Sequence, residues 1–218
     1  MGALLQDLRF AFRQLRKAPS FAITAVLTLA LGVGANTAVF SLVNSLLLKP
    51  LSVPNAGQIT TIVPRENNGP LQQNFSWNEY KEIRTQASRS FSDVFVYTTG
   101  LDGLATPGQK PDRIMTNYVS GNFFEGLRLT PAAGRLFLPS EGEVLGADPV
   151  IVLSYDYWMK AFSGDPHVVG RPVTVNGHPF TIIGVAPQGF HGIQSFLNMS
   201  AYLPLTELPI AGTPADQL

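Results

Sequence analysis

Residues 21–48, FAITAVLTLALGVGANTAVFSLVNSLLL, lie in a window where no charged residue occurs between Lys17 and Lys49. Nothing else in the sequence restricts the fold as strongly. A bilayer core needs about 20 mostly apolar residues in helical form, and this run of 28 is long enough to cross with tilt. A helix buried in a soluble core runs about 8 to 20 residues and carries charges on one face; this run carries none. A cleaved leader is the stronger rival, because Val33-Gly34-Ala35 fits a small-x-small cleavage pattern. The apolar character nevertheless continues through Val39, Phe40, Leu42, Val43 and Leu46 to Leu48, which a removed leader does not require. The run is therefore read as a transmembrane helix.

Charge then gives the orientation. Residues 1–20 hold Arg9, Arg13, Arg16 and Lys17 against Asp7 alone, whereas residues 49–218 hold 11 basic and 14 acidic side chains. Lys and Arg close to a span stay on the cytoplasmic side, so the larger part of the chain is expected to face outward. Residues 4–17 place Leu4, Leu8, Ala11, Phe12 and Leu15 at helical spacing, with Arg9, Arg13 and Arg16 opposite. Such a basic amphipathic helix fits membrane lipid at the interface, its arginines among anionic head groups; a solvated helix end is the plainer alternative. Pro19 is expected to break this helix, leaving Ser20 as N-cap of the span. Within the span Ala30, Gly34, Thr37, Ala38, Ser41, Asn44 and Ser45 recur at three- and four-residue steps. A stripe of small residues lets a second helix approach closely, and its hydroxyl and amide groups can bond across the contact. Small residues are also common in spans without any such role.

The remainder, residues 49–218, reads as one outward α+β domain. Cysteine is absent, so neither disulfides nor thiolate chemistry is available and the domain must rely on core packing. Charged residues make up 14% of the chain and no basic cluster occurs, so DNA and RNA are not expected partners. Strands are expected at 58–63, 91–99, 113–119, 150–153 and 201–205. A helix is expected at 76–86, with Ser76 and Glu79 as a capping box and Trp77, Tyr80, Ile83 and Arg84 on one side. A short helical turn at 121–127 precedes a loop marked by Pro131, Gly134 and Pro139. A second helix over 154–162 aligns Tyr155, Trp158, Met159 and Phe162 for core packing. The clearest local signal is VTVNGHPFTIIGV, a hairpin turning at Asn176-Gly177, since both residues tolerate positive φ. The tail after Glu207 shows no pattern.

Catalytic, cofactor-binding and metal-binding residues are all expected to be absent. His167, His178 and His191 have no carboxylate pair at metal-ligand spacing. Ser154 stands at a strand-to-helix junction without the glycines of a nucleophile elbow, which favours an N-cap. No lysine follows a glycine, so there is no phosphate-binding loop of the ATPase type.

Several short motifs in order resemble those of MacB-type permeases of ABC transporters, including the duplicated MacB-like permeases of Acidobacteria. They are Asp7-Leu8-Arg9 through Lys17-Ala18-Pro19-Ser20-Phe21, then LALGVGANTAVFSLVNSLLLKPL, and Val119-Ser120-Gly121-Asn122-Phe123-Phe124 leading to Gly134-Arg135. VIVLSYDYWMKAF, Val169-Gly170-Arg171, VNGHPFTIIGVAPQGF and Tyr202-Leu203-Pro204-Leu205 follow. The resemblance implies a cytoplasmic amphipathic segment (1–20), one transmembrane helix (21–48) and a mixed α/β periplasmic core domain (49–218). It implies a bacterial inner-membrane permease that is no enzyme but couples ATP hydrolysis by a separate ABC ATPase subunit to efflux or extraction. Its further partners would be other permease helices or a second permease copy. No nucleotide-binding domain is present, and the sequence stops at Leu218 before the later helices of a complete permease, as a fragment or truncated frame would. A membrane-anchored binding or sensing module is the alternative from another class.

Overall fold

The computed structural model describes residues 16–47, 56–63, 75–194 and 197–212, together with Phe10, Arg13, Val53 and Pro54. The chain divides into two compact units, Met1–Lys49 and Pro50–Leu218.

In the first unit, helix α1 spans Pro19–Leu47. It begins one residue before the expected Ser20 cap. Proline has no N–H to leave unsatisfied in a first turn and its φ already suits a helix, so Pro19 starts α1 rather than standing before it. Ser20 lies inside the turn, and the Ala22 amide reaches back to the Ala18 carbonyl at 3.1 Å. The window Pro19–Ser41 is long and apolar enough to cross a membrane, and none of it is buried. A helix apolar all round and packed against nothing in its own unit has to find its apolar surroundings elsewhere. Its hydroxyls are already provided for: Thr24, Thr28 and Thr37 donate to the carbonyls of Ser20, Thr24 and Val33 at 2.9, 2.8 and 2.8 Å. Phe10, Arg13, Arg16 and Lys17 are helical and exposed, while Arg9 and the rest of the expected amphipathic helix lie outside the described residues.

The second unit is α+β. Its strands are β1 (Tyr97–Ala105), β2 (Asp112–Val119), β3 (Ala133–Gly134), β4 (Val150–Leu153), β5 (Pro172–Val175), β6 (His178–Val185) and β7 (Ala201–Pro204). They form one sheet in the order β3-β6-β4-β7-β2-β1-β5, and β5 also pairs with β6. That extra pairing closes six strands into a small barrel, with β3 attached to β6. The β2–β7 and β4–β6 pairs are parallel; the others are antiparallel.

Alternation along the strands divides the core in two, because successive side chains point to opposite faces. Tyr118, Leu153, Ile182 and Leu203 belong to one buried cluster. Their neighbours Val119, Val152, Ile183 and Tyr202 belong to the other. The second cluster is rich in aromatic rings, with Phe190 stacked on Tyr202 at 5.6 Å and Phe124 edge-on to Tyr202 at 5.2 Å. The alternation skips once, at a bulge where Ile151 faces Ile182 but Val152 faces Gly184. The extra residue returns Val185 to the face of Ile182.

Four helices flank this sheet: α2 (Trp77–Gln86), α3 (Phe123–Gly126), α4 (Tyr155–Phe162) and α5 (Leu208–Ala211). The capping box of α2 is complete, the Ser76 amide donating to Glu79 at 2.7 Å and the Glu79 amide to Ser76 Oγ at 3.3 Å. Ser76→Ala is expected to lower the stability of the full-length protein by about 1 kcal/mol in chemical denaturation. Ser154 caps α4 in the same way, accepting from the Tyr157 amide at 3.2 Å. At Asn176-Gly177 both φ angles are positive, 49° and 87°, as the hairpin requires.

Other expectations are corrected. Residues 58–63 form no strand; after a 3-10 turn at Ala56–Gln58 they have no ladder partner among the described residues, so β propensity alone does not make a strand. The strand expected at 91–99 starts only at Tyr97 and runs on to Ala105 through a Gly-Leu-Asp-Gly stretch that resembles a turn. Tyr157, rather than Met159, is the deeply buried residue of α4, and Met159 is 46% exposed. The expected loop around Gly134 contains β3, and the tail contains α5.

Candidate functional site

On α1 the stripe residues Ala30, Gly34, Thr37, Ala38 and Ser41 are all exposed, and the side chain of Asn44 lies outside the described residues. A Cβ built on Gly34 meets nothing within 4 Å. These residues have no packing partner among the described residues of their own unit, and the Thr37 hydroxyl donates to its own helix.

Among the described residues of the second unit two carboxylates are buried, Glu207 at 2% exposed and Asp102 on β1 at 1%, and Asp102 has the larger network. It accepts hydrogen bonds from Thr116 Oγ1, from the Tyr118 hydroxyl at 2.9 Å and from Asn176 Nδ2 at 2.7 Å. Asn176 extends the network, since Nδ2 also donates to the Ala211 carbonyl at 2.7 Å and Oδ1 accepts from the Gly103 amide at 2.7 Å. One carboxylate thus ties β1, β2, the β5–β6 turn and α5 together. Burial raises the pKa of the Tyr118 hydroxyl, and the nearby Asp102 charge and hydrogen bond raise it further, so Tyr118 remains a donor. Gly100 makes the room: a Cβ there would lie 2.7 Å from Thr116 Oγ1 and 2.9 Å from Asp102 Oδ2. The cluster is enclosed and satisfied, which makes it a structural hub.

The residues considered for chemistry do not converge. Ser154 is 2% exposed and serves as a helix cap. His191 Nδ1 lies 3.3 Å from Asp156 Oδ2, and no group of three potential metal ligands occurs among the described residues. Arg135 grips Glu141 with two hydrogen bonds of 2.8 and 2.7 Å, and the Leu138 amide adds a third at 2.8 Å. Burial by itself would raise the Glu141 pKa, but these bonds and the Arg135 charge hold it below the usual carboxylate range.

One concavity is a groove of about 1040 Å³. Its walls come from 58–63, α2, the 93–99 approach into β1, Glu143 and Leu145, Ile193 and Gln194, and the segment from Leu205 to Pro209. Tyr80 on α2 fixes one wall, donating to Asn122 Oδ1 at 3.1 Å, while Asn122 Nδ2 donates to Asp93 at 2.7 Å and to the Val94 carbonyl at 2.9 Å. Ile62, Val63, Phe91 and Leu145 line the groove while remaining 38 to 64% exposed. Asp93 and Glu143 are its charged lining residues among those described. The sequence gives little sign of this groove, because its walls are far apart along the chain.

The family of MacB-like periplasmic core domains matches residues 22–217. No curated relative matches the chain. Among solved structures, the periplasmic region of MacB from Actinobacillus actinomycetemcomitans is similar at 19% identity and a TM-score of 0.49, over 61% of this chain and 58% of that one. The extracellular domain of the noncanonic ABC-type transporter YknZ from Gram-positive bacteria is similar at 17% identity and a TM-score of 0.50, over 66% of this chain and 75% of that one. The chain thus spans little more than half of that MacB region, and the likeness to the YknZ domain is one of fold. With a family match over nearly its whole length, an apolar N-terminal helix and an α+β domain of this fold, the chain belongs to the MacB-like periplasmic core domain family of ABC-type transporter permeases.

Proposed function

We propose that the chain is a permease component of a MacB-like ABC transporter in the bacterial inner membrane, with its N-terminus in the cytoplasm and its main domain in the periplasm. It works by mechanical coupling, without catalysis of its own: a separate ABC ATPase subunit hydrolyses ATP, and the resulting helix movement drives efflux or extraction on the periplasmic side. The observation that supports this reading best is an unburied apolar helix bearing a contact-free small-residue face in a chain of this family. A transmitted movement needs a helix that packs against others, which a simple anchor does not. Basic Arg13, Arg16 and Lys17, exposed just before the helix, suit a cytoplasmic lipid surface.

The test is co-purification of the full chain with an ABC ATPase in detergent, followed by measurement of ATP hydrolysis. Association with stimulated hydrolysis supports the reading, and the absence of both rejects it. Gly34→Leu sharpens the experiment. A Cβ at this position meets nothing within 4 Å, so membrane insertion is expected to be unchanged while crosslinking to other permease helices falls at least about tenfold. Unchanged crosslinking would reduce α1 to an anchor.

A further inference from the structure

We propose that the outer edge of β1 at residues 97–99 receives an extended segment of a partner protein as an added strand, held in the groove beside α2. The ladder pattern identifies the open groups. The Ser120 amide donates to the Val96 carbonyl at 2.9 Å, so Val96 and Ser120 form a hydrogen-bonded antiparallel pair. Such pairs alternate along a strand, and the backbone N–H and C=O of Tyr97 and Thr99 therefore point away from β2. On that side β5 meets β1 only at Leu104 and Ala105, and the Asn176 amide reaches the Gly103 carbonyl at 2.9 Å. No described strand pairs with this edge at Tyr97 or Thr99. Sheet edges are commonly protected by lysine or proline, and β1 contains neither.

The groove surrounds this edge with features that suit a strand. Tyr97, Thr98 and Thr99 form one wall, and the exposed apolar side chains of Ile62, Val63 and Phe91 lie along it. An apolar surface of this kind around a concavity marks an interaction site. A strand presents alternate side chains to one face, so apolar residues at every second position would meet these walls while the backbone extends the sheet. Among the described residues the charge is one-sided: Asp93 and Glu143 line the groove and no lysine, arginine or histidine does. The occupant is thus an extended peptide segment with alternating apolar residues and basic flanks. The proposal does not depend on coupling to an ATPase, and either can fail without the other.

The experiment uses the full chain in nanodiscs of zwitterionic lipid and a fluorescein-labelled peptide of alternating Val and Thr with Lys at both ends. Fluorescence anisotropy is expected to show saturable binding that empty nanodiscs lack. A Glu-ended peptide, and a Lys-ended peptide with alternate backbone amides N-methylated, should each bind at least about tenfold more weakly. Thr99→Pro removes an N–H that points away from β2, so the same loss is expected, with a modest fall in thermal stability because the Thr99 hydroxyl also donates to the buried Asn117 Oδ1 at 3.2 Å. Leu145→Asp, at a residue 64% exposed, exchanges an apolar contact for a negative charge away from the β1 backbone and should preserve the fold while weakening the Lys-ended peptide much less than Thr99→Pro does. Absence of binding, equal binding of the N-methylated peptide, or equal binding to empty nanodiscs overturns the proposal; the last result assigns the peptide to the lipid surface. If Thr99→Pro unfolds the protein, the N-methylated peptide alone decides.

Discussion

Gly184→Ala is expected to destabilise the periplasmic domain by at least about 4 kcal/mol, an unusually large effect for one methyl group. At the bulge in β6 a Cβ on residue 184 would lie 2.0 Å from the Arg135 carbonyl oxygen, 2.8 Å from the Arg135 amide and 2.9 Å from the Ala133 carbonyl oxygen. All three are backbone atoms, so no rotamer change can relieve the clash. The strand carrying them is held in place, with the Arg135 amide donating to Ile183 at 3.0 Å and the Ala132 amide to Val185 at 2.9 Å. Relief requires β3 to detach from β6, or β6 to lose the bulge that sets the facing of Val185. Chemical denaturation of the full-length variant should show the loss. Gly57→Ala is the control, since a Cβ there meets nothing within 4 Å, and a change within about 0.5 kcal/mol is expected. Equal stability of the two variants would refute the packing argument.

Asp102→Leu is expected to cost about 3 to 5 kcal/mol. The substitution strands Thr116 and Tyr118, two buried donors, and removes one of the bonds made by Asn176 Nδ2; each unsatisfied buried group costs about 1 to 3 kcal/mol less whatever water or local relaxation recovers. Asp102→Asn keeps one carbonyl oxygen and should lose roughly half as much. The domain should also loosen at particular places: amide exchange at Gly103 and in the β5–β6 turn should quicken more than at the aromatic cluster around Tyr202. A loss below about 1 kcal/mol for the leucine variant would mean that the hub is dispensable.

The contrast between these two sites shows what kinds of information a single sequence carries. Asn176-Gly177 could be read directly, because a two-residue turn with positive φ at both positions is a local demand met by few residues. So could the caps Ser76 and Ser154, whose partners lie three residues away. The second role of Asn176 could not, since its side chain bonds to Asp102, more than 70 positions earlier. β1 was only partly legible for the same reason. Its Gly-Leu-Asp-Gly stretch looks like a turn until β2 supplies Thr116 and Tyr118 and the glycine is seen to leave space for them. Conversely, Ile, Thr and Val at 58–63 have strand propensity, yet those residues line a groove without a ladder of their own. The apolar run and its stripe of small residues are periodic and local, and so were readable; the groove is assembled from distant segments and was not.

The place of β7 in the sheet bears on how the domain can be made. β7 is the last strand in sequence, yet it lies between β4 and β2, with Thr116 facing Ala201 and Val152 facing Tyr202. During synthesis β2 therefore waits for a neighbour about 85 residues downstream. Until residues 201–204 have left the ribosome, the β1–β2 hairpin and the β4–β6 group are joined only through β5, and the facing edges of β2 and β4 stay open. Sheets built from such distant pairings fold slowly, and their unfinished edges are prone to associate with other chains. Closure of the sheet is thus late and concerted, and in the proposed orientation holdase chaperones in the periplasm should matter more to its yield than those of the cytoplasm.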